Sequence, residues 1–312
     1  MRYAIAKLAL ATGIAIASWS ATFAADAKIN IGCTATTDCA SAAVALQEGI
    51  FKKHGLDVSM TLIGLNSNIP AALLSDSLQI GGPTPTVFLQ AVDGGLDLVA
   101  IAGASSTAQA THDTSGVIVS PDSTIRHPAD FVGKKVGAPG IGAYLQVLFS
   151  KWLIDAGVDP SKVQFVEVTF PTMGDTLKSG AVDAVVSSEP IMSRIVDSKV
   201  GINIANFIGS VPDGRPVILY SATREWAQAN PQAVTEFRAA IDEAAKIVND
   251  NPDVARKAIA EFTKIPQNVL SKMKLSHSDP SLNKEQLDWW VATMNQQHML
   301  QGNVDTAALI QN

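Results

Sequence analysis

The sequence lacks the side-chain patterns on which the common active sites of secreted enzymes are built. It has no Gly-x-Ser-x-Gly turn, no His-Glu-x-x-His run, and only 5 histidines scattered over 312 residues. Gly140 and Gly142 alone do not make a dinucleotide-binding fingerprint. We therefore expect no enzymatic activity, no cofactor and no metal, and keep a secreted enzyme only as an alternative hypothesis.

Positive charge is also scarce. Lys and Arg number 23 against 29 Asp and Glu, which gives a formal net charge of -6. The first 24 residues hold two cations, Arg2 and Lys7, and no acid, so the charge without them is -8. Nucleic acids and anionic membranes bind basic surfaces, so neither is an expected partner.

Apolar runs long enough to span a bilayer are missing too. The run after Arg2 and Lys7 is shorter than the roughly twenty residues that a span needs, although a membrane anchor remains the alternative. Small residues end it at Thr22 and Ala24, which predicts a signal peptide over residues 1–24, cleaved after Ala24, and export to the periplasm. No lipid anchor is predicted, because the first cysteine is Cys33.

Cysteine is limited to Cys33 and Cys39. Export would place both in an oxidising compartment, where a disulfide between them is one hypothesis and two separate buried thiols are the other. Their spacing matches no usual zinc site.

What is present is an alternation of apolar strands and amphipathic helices. Strands are predicted at residues 28–32, 56–63, 78–81, 98–104, 116–120, 135–138, 163–168, 182–186, 201–205 and 216–222. Such alternation predicts an α/β fold with parallel sheets. The polar residues 105–113 show no periodicity, so we expect the chain to cross there between two lobes. Lobe I would comprise residues 25–112 and 218–312, and lobe II residues 113–217.

The segment 133–144 indicates how such a two-lobed protein could bind a ligand. It predicts a strand at 135–138, a turn at 139–142, and a helix over 143–156 that Gly157 ends. The first amides of a helix have no internal partners, so a polar ligand could bind to bare backbone there. Thr84 and Pro85 predict a second helix start of the same kind, so two lobes would each present a helix N-terminus to one ligand.

Several short motifs in a fixed order carry a resemblance to a known family. They are Phe51-Lys52-Lys53-His54-Gly55-Leu56, Gly81-Gly82-Pro83, the run from Pro128 to Gly137, the run from Gly180 to Ala184, and Glu189-Pro190. Together with the export signal they resemble the periplasmic solute-binding proteins of nitrate, taurine and aliphatic-sulfonate ABC importers. The resemblance extends to binding proteins for thiamine-pyrimidine precursors. The synthases of that pathway carry a cysteine-rich iron motif that this sequence lacks.

The resemblance implies a type II-like periplasmic binding fold, with two α/β lobes joined by crossing strands. It also implies capture of a small molecule and its delivery to a membrane permease with its ATPase, by a protein expected to be a monomer. A sensor that reports the ligand to a receptor is an alternative, which the sequence does not separate from an importer.

The candidate ligand-binding residues follow from the rule that open α/β sheets bind ligands beyond the carboxyl ends of their strands. The selected loops are 33–41, 66–68, 82–86, 105–112, 140–144 and 187–189. From these loops and their family counterparts we name Thr36, Asn66, Thr84, His112, Gly140, Ile141, Tyr144 and Glu189.

Four of these candidates have a structural alternative. Thr84 could only cap its helix, and Glu189 could only cap the helix after Pro190. Tyr144 could be a buried ring instead of stacking on the ligand or hydrogen-bonding to it. His112 could be a surface histidine in the crossing segment rather than a residue that orients the ligand.

The selected loops also indicate a class of ligand. They contain no Arg or Lys, and Ile141 follows Gly140 where sulfonate-binding relatives commonly have hydroxyl residues. A zwitterion such as taurine, with its amine on Glu189, or a neutral heterocycle therefore fits better than nitrate.

Overall fold

Two mixed β-sheets with flanking helices form the protein in a computed structural model that describes residues 28–311. The predicted signal peptide and its cleavage after Ala24 lie outside the described residues. The strands are β1 (Lys28–Cys33), β2 (Asp57–Leu62), β3 (Ile80–Gly81), β4 (Leu98–Ser106), β5 (Ser115–Val119), β6 (Lys135–Ala138), β7 (Gln164–Glu167), β8 (Ala184–Ser188), β9 (Ile202–Ala205), β10 (Pro216–Thr223) and β11 (His277–Ser278).

The α-helices of the described residues lie between these strands and after β10. They are α1 (Ala40–Gln47), α2 (Ile50–Lys53), α3 (Ile69–Leu74), α4 (Pro85–Asp93), α5 (Tyr144–Asp155), α6 (Met173–Lys178), α7 (Ile191–Asp197), α8 (Arg224–Ala229), α9 (Pro231–Asp250), α10 (Pro252–Thr263), α11 (Gln267–Leu270) and α12 (Lys284–Asn295). None of the helices between residues 28 and 311 combines the length and apolar character that a membrane span requires.

The strand order corrects the expectation of parallel sheets. In the first sheet, β11-β4-β10-β3-β1-β2, β1 is parallel to β2 and β3, whereas β10 is antiparallel to β3 and β4. In the second, β7-β6-β8-β5-β9, β5 is antiparallel to β8 and β9. Strand-helix alternation implies parallel pairing only where a helix returns the chain to its own sheet. β5 and β10 instead arrive from the other sheet.

The two connections between the sheets run side by side. Ser106 at the end of β4 pairs with Pro216 at the start of β10. The Thr107 amide donates to the Arg215 carbonyl, and the Gly214 amide donates to the Thr107 carbonyl, at 2.8 Å each. The crossing expected near residues 105–113 is thus a two-stranded backbone ribbon.

Buried apolar faces explain the helices that cover the first sheet. In α9, the residues Val234, Phe237, Ile241, Ala244 and Val248 recur every three or four positions, and all are buried. This face contacts α1. The single helix expected over residues 41–53 is instead divided into α1 and α2, because the left-handed backbone of Gly49 interrupts it.

Candidate ligand-binding cleft

Two small cavities lie between the sheets and share part of their lining. Their volumes are about 20 and 30 Å³, and Asp38, Tyr144, Ser188 and Val217 line both. Each of the six loops selected from the sequence supplies at least one lining residue. We call the two cavities and these loops the cleft. Because ligand pockets usually enclose hundreds of cubic ångströms, the sheets must move apart to admit an organic molecule.

A disulfide fixes the loop after β1. The structure joins Cys33 to Cys39 and encloses a loop that supplies Thr34, Thr36 and Asp38 to the lining. Both cysteines are buried, so the link also belongs to the core of the first sheet.

Asp38 is the residue of this loop that sequence reasoning missed. Asp38 lines both cavities and is 9% exposed, and its carboxylate accepts a hydrogen bond from the Ser105 hydroxyl at 3.0 Å. No cation of the described residues lies within ion-pair distance of it. A signal was available, because Asp38 is the one acid in the selected loop 33–41.

Tyr144 begins α5 and occupies the centre of the cleft. Its ring is 4% exposed and packs on Trp290 of α12 with ring centroids 5.5 Å apart. Its hydroxyl finds no hydrogen-bond partner among the described residues. Burial, with the Asp38 carboxylate nearby, raises the pKa of Tyr144, so this hydroxyl stays protonated and is available as a donor. The two expected roles, buried ring and ligand contact, are compatible here.

Three candidates from the first-sheet loops line the second cavity while forming internal hydrogen bonds. The Asn66 side chain donates to the Gly82 carbonyl and accepts from the Thr84 amide, so its nitrogen and its oxygen are both hydrogen-bonded within the protein. The Thr84 hydroxyl accepts from the Val87 amide at 3.3 Å, which is the capping role, yet Thr84 still lines the cavity. Thr36 accepts weakly from the Asp38 amide at 3.4 Å.

Glu189 and His112 line the first cavity. Glu189 is buried and caps α7, because its carboxylate accepts from the Ser193 amide and hydroxyl at 3.2 and 2.6 Å. His112 is partly buried, and its Nε2 lies 3.2 Å from a carboxylate oxygen of Asp213. Glu189 thus combines the capping role and the cleft position that the sequence left as alternatives.

The buried position of Glu189 leads to a pH prediction. Burial raises the pKa of Glu189, with smaller contributions from Asp113 and Asp197, while the hydrogen bonds from Ser193 oppose the rise. The folded protein therefore binds this proton more tightly than the unfolded chain. The free energy of unfolding is expected to fall as pH rises from the ordinary glutamate pKa through the raised value. The loss is about 1.4 kcal/mol for each pH unit by which the folded pKa exceeds the unfolded one.

Urea unfolding from about pH 4 to pH 8 would measure this effect. Relative to Glu189→Gln, the wild type should lose stability across that interval and remain level below it. Glu261→Gln, at an exposed position of the C-terminal helices, is the matched control and should follow the wild type. If the free energies of unfolding of the wild type and Glu189→Gln changed in parallel with pH, the raised pKa of Glu189 would be contradicted.

The turn before α5 has its own amides satisfied, whereas the first amides of the helix, at Tyr144, Leu145 and Gln146, donate no hydrogen bond among the described residues. The Ile141 amide donates to Glu167 at 3.0 Å, and the Gly142 amide donates to Gln146 at 2.7 Å. Neither Gly140 nor Ile141 lines either of the two cavities of the cleft, and Ile141 is 45% exposed. The structure therefore does not bring these two candidates to the others. The side chains of Glu167 and Gln146 satisfy the turn, which strand and helix patterns alone do not reveal.

The same turn contacts the first-sheet side of the cleft. Glu167 also accepts from the Ser67 hydroxyl at 2.7 Å, and the side-chain Nε2 of Gln90 donates to the Gly142 carbonyl at 3.0 Å. Gly142 has a φ of +73°, and an added Cβ would lie 2.4 Å from the Gln90 side chain. Only glycine suits this position.

Part of the remaining lining comes from residues that carried little sequence signal. Phe170 follows β7, Val217 lies in β10, and Ser276 precedes β11 in the C-terminal segment, which showed no site-like pattern. Over residues 28–311 no group of three or more His, Cys, Asp and Glu is arranged to hold a metal ion.

Solved structures share this fold. The alkanesulfonate-binding protein SsuA from Xanthomonas axonopodis pv. citri, bound to MOPS, matches with a TM-score of 0.76 at 17% identity, over 92% of this chain and 99% of that one. The periplasmic nitrate-binding protein NrtA from Synechocystis PCC 6803 matches with a TM-score of 0.74 at 16% identity, over 91% and 84%. The expected two-lobed periplasmic binding fold is thereby confirmed.

Sequence comparison points the same way. The nitrate/nitrite binding protein NrtA of Nostoc sp. is 24% identical over 237 residues, which cover 70% of this chain and 53% of that protein. All three of these proteins are described as binding proteins, which agrees with the expectation of a binding protein rather than an enzyme. Residues 36–255 match the family described as NMT1/THI5 like. The chain therefore belongs to the NMT1/THI5-like family.

Proposed function

We propose that this protein is the periplasmic solute-binding component of an ABC importer. It captures a small organic nutrient, either taurine- or sulfonate-like or a small heterocycle, and delivers it to a permease and its ATPase. The observation that carries the proposal is the position of both cavities between the sheets, with lining from loops of each. A ligand that contacts both sides binds the closed form more tightly than the open one, and so shifts the population toward closure.

The proposal includes the predicted organisation of the chain. Residues 25–112 and 218–312 form lobe I, residues 113–217 form lobe II, and the protein acts as a monomer. Export follows cleavage of residues 1–24, without a lipid anchor. Membership of the family and the nitrate- and sulfonate-binding roles of the relatives support import.

The test begins with the ligand that the protein itself retains. Protein purified from the periplasm without unfolding is denatured, and the released small molecules are identified by mass spectrometry. The released compound, added back to refolded protein, should reduce the radius of gyration measured by X-ray scattering and should be recovered unchanged. Failure to compact would overturn the closure, and conversion of the compound would revive the enzyme hypothesis.

Closure also leads to a prediction about the contacts between Ser67 and Glu167 and between Gln90 and Gly142. The double variant Ser67→Ala/Gln90→Ala removes two hydrogen bonds, each worth about 0.5–1.5 kcal/mol. The open form should become about 5- to 150-fold more populated relative to the closed one. Scattering without ligand should then show a larger radius of gyration, and affinity for the released compound should fall.

Gln228→Ala/Gln232→Ala is the control, because both side chains are exposed and away from the cleft. It should leave the radius of gyration and the affinity as in the wild type. Equal behaviour of the two double variants would show that these contacts do not stabilise closure.

A further inference from the structure

The cleft has acidic side chains and lacks basic ones that would balance them. Asp38 borders both cavities and Glu189 borders one, while no lysine or arginine occurs among the described lining residues. Among the described residues, His112 lies within ion-pair distance of Asp213, and not of Asp38 or Glu189. A nitrate or sulfonate would lie near a carboxylate, without the guanidinium or ammonium that usually neutralises it.

The Asp38 carboxylate has few partners within the protein. It is 9% exposed, and the Ser105 hydroxyl donates to one of its oxygens. No hydrogen bond from the described residues reaches its other oxygen, and no described Lys, Arg or His lies within ion-pair distance. Burying a charge is costly unless it is paired. A cation supplied by the ligand would complete the pair.

Tyr144 provides an independent observation that points to a ligand. Its side chain is more than nine-tenths buried, lines both cavities beside Asp38, and has a hydroxyl without a partner among the described residues. A buried hydroxyl without a hydrogen bond costs stability. An acceptor atom on the ligand would satisfy it, at a position adjacent to the carboxylate.

We propose that the cleft selects a small ligand with a protonated amine, which Asp38 binds, and with a hydrogen-bond acceptor nearby, which the Tyr144 hydroxyl binds. This inference rests on the proposed function and narrows its ligand class. Aminosulfonates, short amino acids and aminomethyl heterocycles meet both requirements. Nitrate and simple alkanesulfonates lack the amine.

Pairs of compounds that differ by one amine test the proposal directly. Titration calorimetry on refolded protein would compare taurine with ethanesulfonate, β-alanine with propionate, and 4-(aminomethyl)pyridine with 4-methylpyridine. In at least one pair the amine-bearing member should bind at least about 30-fold more tightly, since truncating one partner of a buried charge pair has effects of that size or larger.

Two variants separate the roles of the two side chains. Asp38→Asn keeps the volume and the acceptor for Ser105, and should abolish the preference for the amine-bearing member. It should also melt at a higher temperature than the wild type without ligand, because an unpaired buried charge is gone; a purely structural role for Asp38 predicts a lower melting temperature.

Tyr144→Phe should weaken the binding of both members of a pair about equally and leave the preference for the amine-bearing member intact. Asp57→Asn, at an exposed strand position, is the control and should behave as the wild type.

The outcomes separate this inference from the proposed function. Equal or tighter binding of the amine-free members overturns it, as does the absence of binding by every amine-bearing probe, or a preference that survives Asp38→Asn. If the natively purified protein releases an amine-free anion, the ligand class is wrong while capture stands. If it releases nothing and no compound compacts it, capture itself fails.

Discussion

Replacing Trp290 with alanine is expected to lower the free energy of unfolding by about 3–5 kcal/mol, the usual cost of removing a fully buried tryptophan. The ring is 0% exposed, and its Nε1 donates to the Pro216 carbonyl at 3.0 Å. It also packs against Trp289 with centroids 4.8 Å apart. Alanine would leave a cavity and an unpaired carbonyl at the start of β10. Urea unfolding of the purified variant measures the loss.

The same substitution should weaken ligand binding, because Tyr144 packs on this ring from the other side of the cleft. Trp290→Phe is the matched control: it retains an aromatic surface for Tyr144 and loses only the indole hydrogen bond and some volume. It should cost about 1–2 kcal/mol and leave most of the affinity. A cost below about 1 kcal/mol for Trp290→Ala would show that the ring is not packed as described.

The second large effect is expected from opening the disulfide between Cys33 and Cys39. The cysteines are six positions apart, and loop-closure entropy for so short a loop corresponds to about 2 kcal/mol. Reduction should therefore lower the melting temperature by about 4 °C in a chain of this size. Affinity should also fall, by about tenfold, because the freed loop carries Thr36 and Asp38 and must be ordered again on binding.

Intact-mass measurement provides the first check, since reduction should add two hydrogens to the wild type. Cys33→Ala/Cys39→Ala should resemble the reduced wild type, with a further loss from the volume of two buried sulfurs. Reduction of the double variant is the control and should change neither stability nor affinity. An unchanged mass on reduction would favour the hypothesis of two separate thiols.

Local sequence patterns were sufficient to predict where the strands end. The selected loops all reach the cleft, because apolar strands bounded by Gly, Pro and hydroxyl residues give clear boundaries. Strand direction was not predictable in the same way. β5 and β10 pair antiparallel because the chain crosses between sheets, which is a tertiary property that alternation of elements does not encode.

The chemistry of the cleft was harder to predict than its position. The amides at Ile141 and Gly142 are satisfied by Glu167 and Gln146, whose approach depends on how β7 and α5 pack. Asp38 could have been selected, because an acid in a buried polar loop is unusual. Ser276 could not, since it reaches the cleft only through the path of the C-terminal segment.

The ribbon formed by the two crossing segments has a consequence for how this protein can evolve. Its pairing at Thr107, Gly214 and Arg215 uses main-chain amides and carbonyls. Main-chain pairing of this kind tolerates many side chains. Two positions are nevertheless constrained, because the Thr107 hydroxyl accepts from the Arg215 amide and donates to the Pro212 carbonyl, and Gly214 has a φ of +74°. Most side chains that line the cavities lie outside this ribbon, although Thr107 belongs to the ribbon and also lines the first cavity. Exchange of the other lining residues can therefore change the ligand that is bound while the ribbon between the sheets stays intact.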